Sequence, residues 1–338
     1  MQIIFHVGFP KAASTTLQKQ LFAQHPELVN LGIYPKSNIG IDDLNPIPPG
    51  MQTKIKYLDD DRISRLYRLL IHPNGLEYNR EIAEDLWLQL LSDYGNLDPC
   101  ESASFRIVLS HESVTSCRFA HPETKEKLRR LHDIFGEIKI ILVIRNQVEM
   151  LKSLYRDHPF DPRTLEFRPR PVSFSEWLDI DIKRGPLSLC RSLYFGKVSE
   201  ELYNLFGKQN VLVLPMEWLK SDLNMFSTKI SCFLDIDQDI TYSLLDKPPI
   251  NTSVSALGHY YRTVRLNMLL LARCFPSLKK LLLPLDSALF GFLKKIGPAS
   301  DVALNEKQIK LLHQMHADDN LRLAKDTGLD LKNLSYFL

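Results

Sequence analysis

The sequence predicts an α/β protein, a three-layer sandwich around a mostly parallel central sheet. Three observations predict it. Four short apolar runs, QIIFHV (2–7), FRIVLS (105–110), IKIILVIR (138–145) and NVLVLP (210–215), lack clean in-and-out alternation, which suits strands buried on both faces. Helical spacing recurs between these runs, so strands and helices alternate along the chain. The first run also leads straight into a turn, GFPKAASTT (8–16), and then into a helix. Open α/β sheets bind ligands at the carboxyl ends of their strands, where such turns lie.

The elements follow in order. After QIIFHV, Ser14 or Thr15 opens a helix that HPE closes near residue 24. Residues 34–50 (YPKSNIGIDDLNPIPPG) are rich in proline and polar side chains and read as an irregular loop. Helices are expected over 59–71 and 77–94. FRIVLS ends in His111-Glu112, and a helix over 122–135 leads to IKIILVIR. NQVEMLKSLYRDH (146–158) has helical spacing, and 159–171 (PFDPRTLEFRPRP) is a loop holding Arg163, Arg168 and Arg170. Further helices are expected over 174–182, 187–206 and 223–234, with NVLVLP between the last two. From residue 254 the chain reads as successive helices ending with 305–327. The expected organisation is one domain, 1–338, with 254–338 as its helical C-terminal part.

The totals exclude several function classes. A formal charge of +2 over 338 residues gives no global field for a nucleic-acid partner, so any anion site is local. The five cysteines (Cys100, Cys117, Cys190, Cys232, Cys274) are odd in number and include no C-x-x-C pair. That disfavours a disulfide framework or metal cluster and leaves reduced, buried thiols as the default. The N-terminus lacks a signal-peptide pattern and no run of ~18 apolar residues occurs, so a cytoplasmic protein without a membrane span is expected.

The turn at 8–16 carries the chemistry. Unpaired first-turn amides and the positive end of a helix dipole favour an anion there. Lys11 adds a full charge, and Ser14, Thr15 and Thr16 add hydroxyl donors; the alternative is a plain turn with a capping serine. In the Walker pattern the hydroxyl residue adjoins the lysine, where it serves magnesium. Here two alanines separate them, and no apolar strand ends in an aspartate suited to magnesium. A magnesium-dependent P-loop kinase is therefore disfavoured, though it stays as the rival enzyme reading.

The run F-P-K-A-A-S-T-T-L at 9–17 is similar to the 5′-phosphosulfate loop of sulfotransferases that use 3′-phosphoadenosine-5′-phosphosulfate (PAPS), usually P-K-x-G-[TS]-[TS]-x-L. The chain departs at Ala13, where glycine is usual; alanine still permits helical dihedrals, so a slightly adjusted loop is expected. V-I-R-N-Q-V-E-M-L-K-S-L-Y at 143–155 resembles the family's 3′-phosphate motif, with Arg145 and Ser153 on its two reading positions. The wording between them is altered at Gln147, Glu149 and Met150. Shorter echoes at 31–35, 110–113, 211–219, 251–255 and 320–324 look like bacterial sulfotransferases acting on carbohydrate-like acceptors. The resemblance implies a P-loop-like α/β fold, PAPS as donor, 3′,5′-ADP as product and no metal.

Loose, in-line group transfer of this kind rests on positioning and charge stabilisation. On the resemblance, Lys11 would stabilise the leaving phosphate's bridging oxygen. Residues 11–16 (Lys11, Ala12, Ala13, Ser14, Thr15, Thr16) would hold the 5′-phosphate and sulfonate, while Arg145 and Ser153 would hold the 3′-phosphate. A base is needed for the acceptor hydroxyl, and Glu112 is the first choice, with His111 the runner-up and a dipole-capping role the alternative. His6 reads as a hydrogen-bonded core histidine rather than the base. Asn251 and Ser253 admit either ligand contact or a structural cap. The three arginines of 159–171 admit an anionic acceptor but more readily a solvated cluster. Residues 264–295 mix leucine runs with lysines; core helices are favoured over a membrane-surface segment. The acceptor expected is a carbohydrate or glycoconjugate hydroxyl, with a small metabolite as the alternative.

Overall fold

The computed structural model describes residues 2–31, 61–71, 73, 76–95, 106–115, 124–157, 172–185, 188–248 and 302–338, together with 255, 257, 258, 260, 261, 286, 288–293 and 296. Five parallel strands form one sheet in the order β2-β3-β1-β4-β5. They are β1 (Gln2–Gly8), β2 (Leu28–Asn30), β3 (Arg106–Ser110), β4 (Lys139–Ile144) and β5 (Val211–Pro215). Four are the apolar runs read from the sequence. β2 was not anticipated, because three residues, LVN, are too short to show a period.

The helices are α1 (Ser14–Thr16), continued by a π-type segment Leu17–Phe22, then α2 (Asp61–Ile71), α3 (Arg80–Gly95), α4 (Thr124–Phe135), α5 (Gln147–Asp157), α6 (Phe174–Lys183) and α7 (Phe195–Phe206). After β5 come α8 (Trp218–Ser221), α9 (Leu223–Leu234), α10 (Gln238–Leu245) and α11 (Glu306–Thr327). The expected helix over 187–206 begins only at Phe195. In its place the buried Asp181 carboxylate accepts from the Leu189 and Cys190 amides, both at 3.0 Å, and from Ser188 Oγ at 2.8 Å. Those amides are spent on a side chain, so the residues take a turn instead of a helix.

The chain divides into two compact units. The first comprises Met1–Asn146, Ser192–Ile250 and Ala317–Leu338, and holds the sheet. Alternate residues of β1 face opposite ways. Phe5 meets Tyr67 of α2 (ring centroids 6.0 Å apart) and Phe135 of α4 (5.8 Å), and Phe135 meets Trp87 of α3 (4.8 Å). His6, on the other face, meets Phe22 of the π-type segment at 5.6 Å. Helices therefore cover both faces, the three-layer arrangement expected. Full burial of Ile4, Phe5 and Val7 and of 140–144 explains why these strands read as unbroken apolar runs.

In the second unit, Gln147–Arg191 and Asn251–His316, α5 and α6 share an aromatic cluster. Tyr155, Phe174 and Trp177 lie with ring centroids 5.2–6.2 Å apart, and the Tyr155 hydroxyl donates to Val172 O at 2.8 Å. Of the cysteines among the described residues, Cys190 is buried and Cys232 exposed, so burial holds for only one of them; both are free thiols.

Candidate active site

The loop after β1 is built from backbone first. The Ala12 N–H donates to Phe9 O at 3.2 Å, closing a turn at the strand end, and the Leu17 N–H donates to Ala13 O at 3.0 Å as the helix begins. Helical geometry leaves the amides of Ser14, Thr15 and Thr16 without partners inside the helix, at the positive end of its dipole. Lys11 and Ala13 both occupy the left-handed region, at φ 67° and 62°. Ala13 was expected to keep ordinary helical dihedrals, and it does not. It adopts the left-handed conformation that suits glycine, at ~1–2 kcal/mol for a residue with a Cβ.

Parallel pairing decides what meets this loop. β1 lies beside β4 with Gly8 opposite Val143, so Arg145, just past the end of β4, emerges level with the turn. Its guanidinium donates to the Lys11 carbonyl at 2.9 Å. Two sequence motifs 134 residues apart thus meet through this hydrogen bond. Arg145 anchors the loop at one of its two left-handed residues. Ser153 lies partly exposed on α5, in the second unit.

On the other side, β3 pairs with β1 in the register His6 opposite Ser110, and the His111 N–H continues the ladder to His6 O at 3.1 Å. The chain then turns into a short 3₁₀ segment, Glu112–Val114. His111 Nδ1 accepts from the Ser113 N–H at 3.2 Å and the ring lies against Tyr67 (4.9 Å), so His111 caps this turn. Thr115 Oγ1 donates to Gly8 O at 2.7 Å and pins the turn to the last residue of β1. Glu112 is exposed at the head of that turn, in the first-turn position weighed as its alternative role.

Beneath the loop lies a polar group that sequence reasoning read only in part. His6 is fully buried; its Nδ1 is 2.7 Å from Ser110 Oγ, which also accepts from Gln18 Nε2 at 2.9 Å. Burial lowers the His6 pKa to about 3, so the imidazole is neutral at physiological pH. Burial likewise raises the Tyr67 phenol, which accepts from the Ser110 N–H at 2.9 Å. His6 was correctly read as a core histidine. Ser110 and Gln18 were missed, since only strand register brings them to it.

A second cluster, also missed, locks the C-terminal tail to the strand ends. Glu217, just after β5, accepts from the Asn146 N–H at 2.8 Å and from the Tyr336 hydroxyl at 3.0 Å. Asn146 Nδ2 donates to Ser335 O. Burial and the neighbouring Glu217 raise the Tyr336 pKa well above its ordinary value. Among the described residues no helix is long and apolar enough to cross a membrane, and no three His, Cys, Asp or Glu side chains gather as metal ligands would. Residues Arg163, Arg168, Arg170, Asn251 and Ser253, and most of 264–295, lie outside the described residues.

No family model and no curated protein matches the sequence. Solved structures resemble its fold. A sulfotransferase from Alicyclobacillus acidocaldarius superposes with a TM-score of 0.50 at 14% identity, covering 99% of this chain and 98% of that one. The sulfotransferase domain of the Synechococcus PCC 7002 olefin synthase gives 0.40 at 16% identity, over 73% and 78% of the two chains. Mouse sulfotransferase SULT7A1 complexed with PAP gives 0.36 at 18% identity, over 72% and 62%. At such identities the likeness concerns the fold, and the first of the three carries it.

Proposed function

We propose that the protein is a PAPS-dependent sulfotransferase that moves a sulfuryl group to a hydroxyl of a carbohydrate or glycoconjugate acceptor, in the cytoplasm. One observation carries the reading: Arg145 donates to the Lys11 carbonyl, so the two motifs that resemble 5′- and 3′-phosphate sites meet at the ends of adjacent strands. The residues present also fit the donor chemically. Ser14 Oγ is buried without a hydrogen-bond partner at the helix start, where an anion oxygen would supply one.

In this reading Lys11 and the hydroxyls of Ser14, Thr15 and Thr16, with the amides of the turn around Ala12 and Ala13, hold the 5′-phosphate and sulfonate. Arg145 and Ser153 hold the 3′-phosphate. When bound, PAPS supplies an activated sulfuryl group on a phosphate leaving group. Lys11 offsets the charge developing on that phosphate, a contribution made at the transition state rather than before it. Glu112 takes the acceptor proton, worth typically ~10²–10⁴ in rate. His111 is the weaker choice, because its Nδ1 is engaged in capping the turn. No metal enters the scheme.

Calorimetry with 3′,5′-ADP against ATP plus magnesium tests the donor. Binding of the bisphosphate is expected, and preference for ATP would turn the reading to a kinase. Transfer of labelled sulfate to a panel of glycans and small hydroxyl compounds then identifies the acceptor class. Donor binding without transfer to any acceptor would leave a nucleotide-binding protein. Lys11→Ala is expected to lower kcat at least ~100-fold with donor affinity largely kept, as for other charge-stabilising groups.

A further inference from the structure

We propose that His6 is a positioning residue for the loop hydroxyl of Ser14. Two observed hydrogen bonds, Gln18 to Ser110 and Ser110 to His6, are continued in this proposal by a third, from His6 Nε2 to Ser14 Oγ, which would fix that hydroxyl as a donor toward an anion held by the loop. The relay deepens the sulfotransferase reading and rests on it for the identity of the anion.

The direction follows from donor and acceptor counting. The Gln18 amide nitrogen only donates, so Ser110 Oγ accepts from it. Ser110 is 1% exposed, and its own proton finds its acceptor in His6 Nδ1 at 2.7 Å. A neutral imidazole whose Nδ1 accepts carries its proton on Nε2. That Nε2–H is buried and has no hydrogen-bond partner, and neither has the buried Ser14 Oγ. Both atoms converge on Gly8: a Cβ there would stand 2.7 Å from Ser14 Oγ and 3.1 Å from His6 Nε2. A buried donor and a buried acceptor therefore face one space that glycine keeps open. Joining them satisfies both and leaves the Ser14 proton to point outward, among the first-turn amides.

The ligand-free test is nitrogen-15 spectroscopy of the imidazoles in the full-length protein, with His6 assigned by its loss in His6→Asn. The Nε2-protonated tautomer is expected at neutral pH; the Nδ1-protonated tautomer overturns the relay. Affinity for 3′,5′-ADP is then measured in wild type, His6→Asn, Ser14→Ala and the double variant. His6→Asn keeps an amide near Nδ1 for Ser110 but places nothing at Nε2. It is expected to bind about 5–10-fold more weakly, the worth of one hydrogen bond. The double variant should be no weaker than Ser14→Ala alone, because His6 acts through Ser14. Losses that multiply, or an unchanged affinity in His6→Asn, overturn the proposal.

His6→Gln carries its amide near the place of Nε2 and should keep affinity within about twofold of wild type; if His6→Asn fails to fold, a His6→Gln protein that binds about 5–10-fold more weakly than wild type overturns the proposal. Pyrophosphate is titrated in parallel. Wild type that binds pyrophosphate but not 3′,5′-ADP refutes the donor reading while the cycle, run with pyrophosphate, still decides the relay. Wild type that binds neither refutes both.

Discussion

Ala13 is a residue whose identity and backbone disagree. At φ 62° it carries a Cβ into the left-handed region, where glycine is at ease. Relief of ~1–2 kcal/mol of left-handed strain, less the ~0.5–1 kcal/mol of extra freedom glycine has when unfolded, predicts that Ala13→Gly raises stability by up to about 1.5 kcal/mol. Chemical denaturation would show it as a higher midpoint. Ala12→Gly is the control, since that alanine is fully buried and outside the left-handed region, and it should lose stability. If both glycine variants lose equally, the strain argument fails. Arg145→Ala should weaken 3′,5′-ADP binding more than it lowers kcat, because it removes both a cation and the anchor on the Lys11 carbonyl. Equal falls in kcat and kcat/KM with unchanged affinity would count against that assignment. The placement of Lys11, the hydroxyls and Arg145 was legible from sequence, because they stand where strands give way to helices. The left-handed turn was not, because an alanine there sends no signal. Nor was the His6–Ser110 contact, which exists only through strand pairing across 104 positions.

Element starts and stops test the same physics over longer spans. Most helices were legible from periodicity, and α9 and the end of α11 fall where spacing placed them. Where the sequence misled, at the start of α7, distant side chains had taken the deciding amides. Asp319 accepts from the amides of Gly196 and Lys197 at 2.7 and 3.0 Å, capping α7 from 122–123 residues away. Gly196 is what lets Asp319 approach, for a Cβ there would stand 2.5 Å from the Asp319 carbonyl oxygen. Gly196→Ala must displace backbone, so a loss of roughly 1–3 kcal/mol is expected. Gly291→Ala, where a Cβ would meet nothing within 4 Å, should be neutral or gain up to about 1 kcal/mol. Urea midpoints of the two variants decide it; a Gly196→Ala protein as stable as wild type would remove close packing as the reason for that glycine.

At the scale of the whole molecule, the sheet and its site share one consequence of burial. Strands closed on both faces made the fold class legible, and burial, in the sheet for His6 and elsewhere for two others, holds histidines neutral that solvent would protonate. Burial lowers the pKa of His6 to about 3 and of His316 to about 4, and lowers that of His25. In the unfolded chain these groups take up protons near pH 6.5, so between that value and the depressed folded values the unfolded state binds more protons. Stability is then complete above about pH 7 and falls with acidification, by about 2 kcal/mol each for His6 and His316 at pH 5. Carboxylates of ordinary pKa are still mostly ionised there, so the histidines dominate this window. Tyr67 and Tyr336 act in the opposite direction: their raised folded pKa values withdraw stability once pH exceeds about 10. Denaturation midpoints should therefore form a plateau between about pH 7 and 9, with a fall on either side. His6→Gln removes one titrating group and should shrink the acid-side loss by about 2 kcal/mol while leaving the alkaline side unchanged. An acid slope identical in His6→Gln and wild type would show that His6 is not held neutral in the core, and would take the tautomer argument for Ser14 with it.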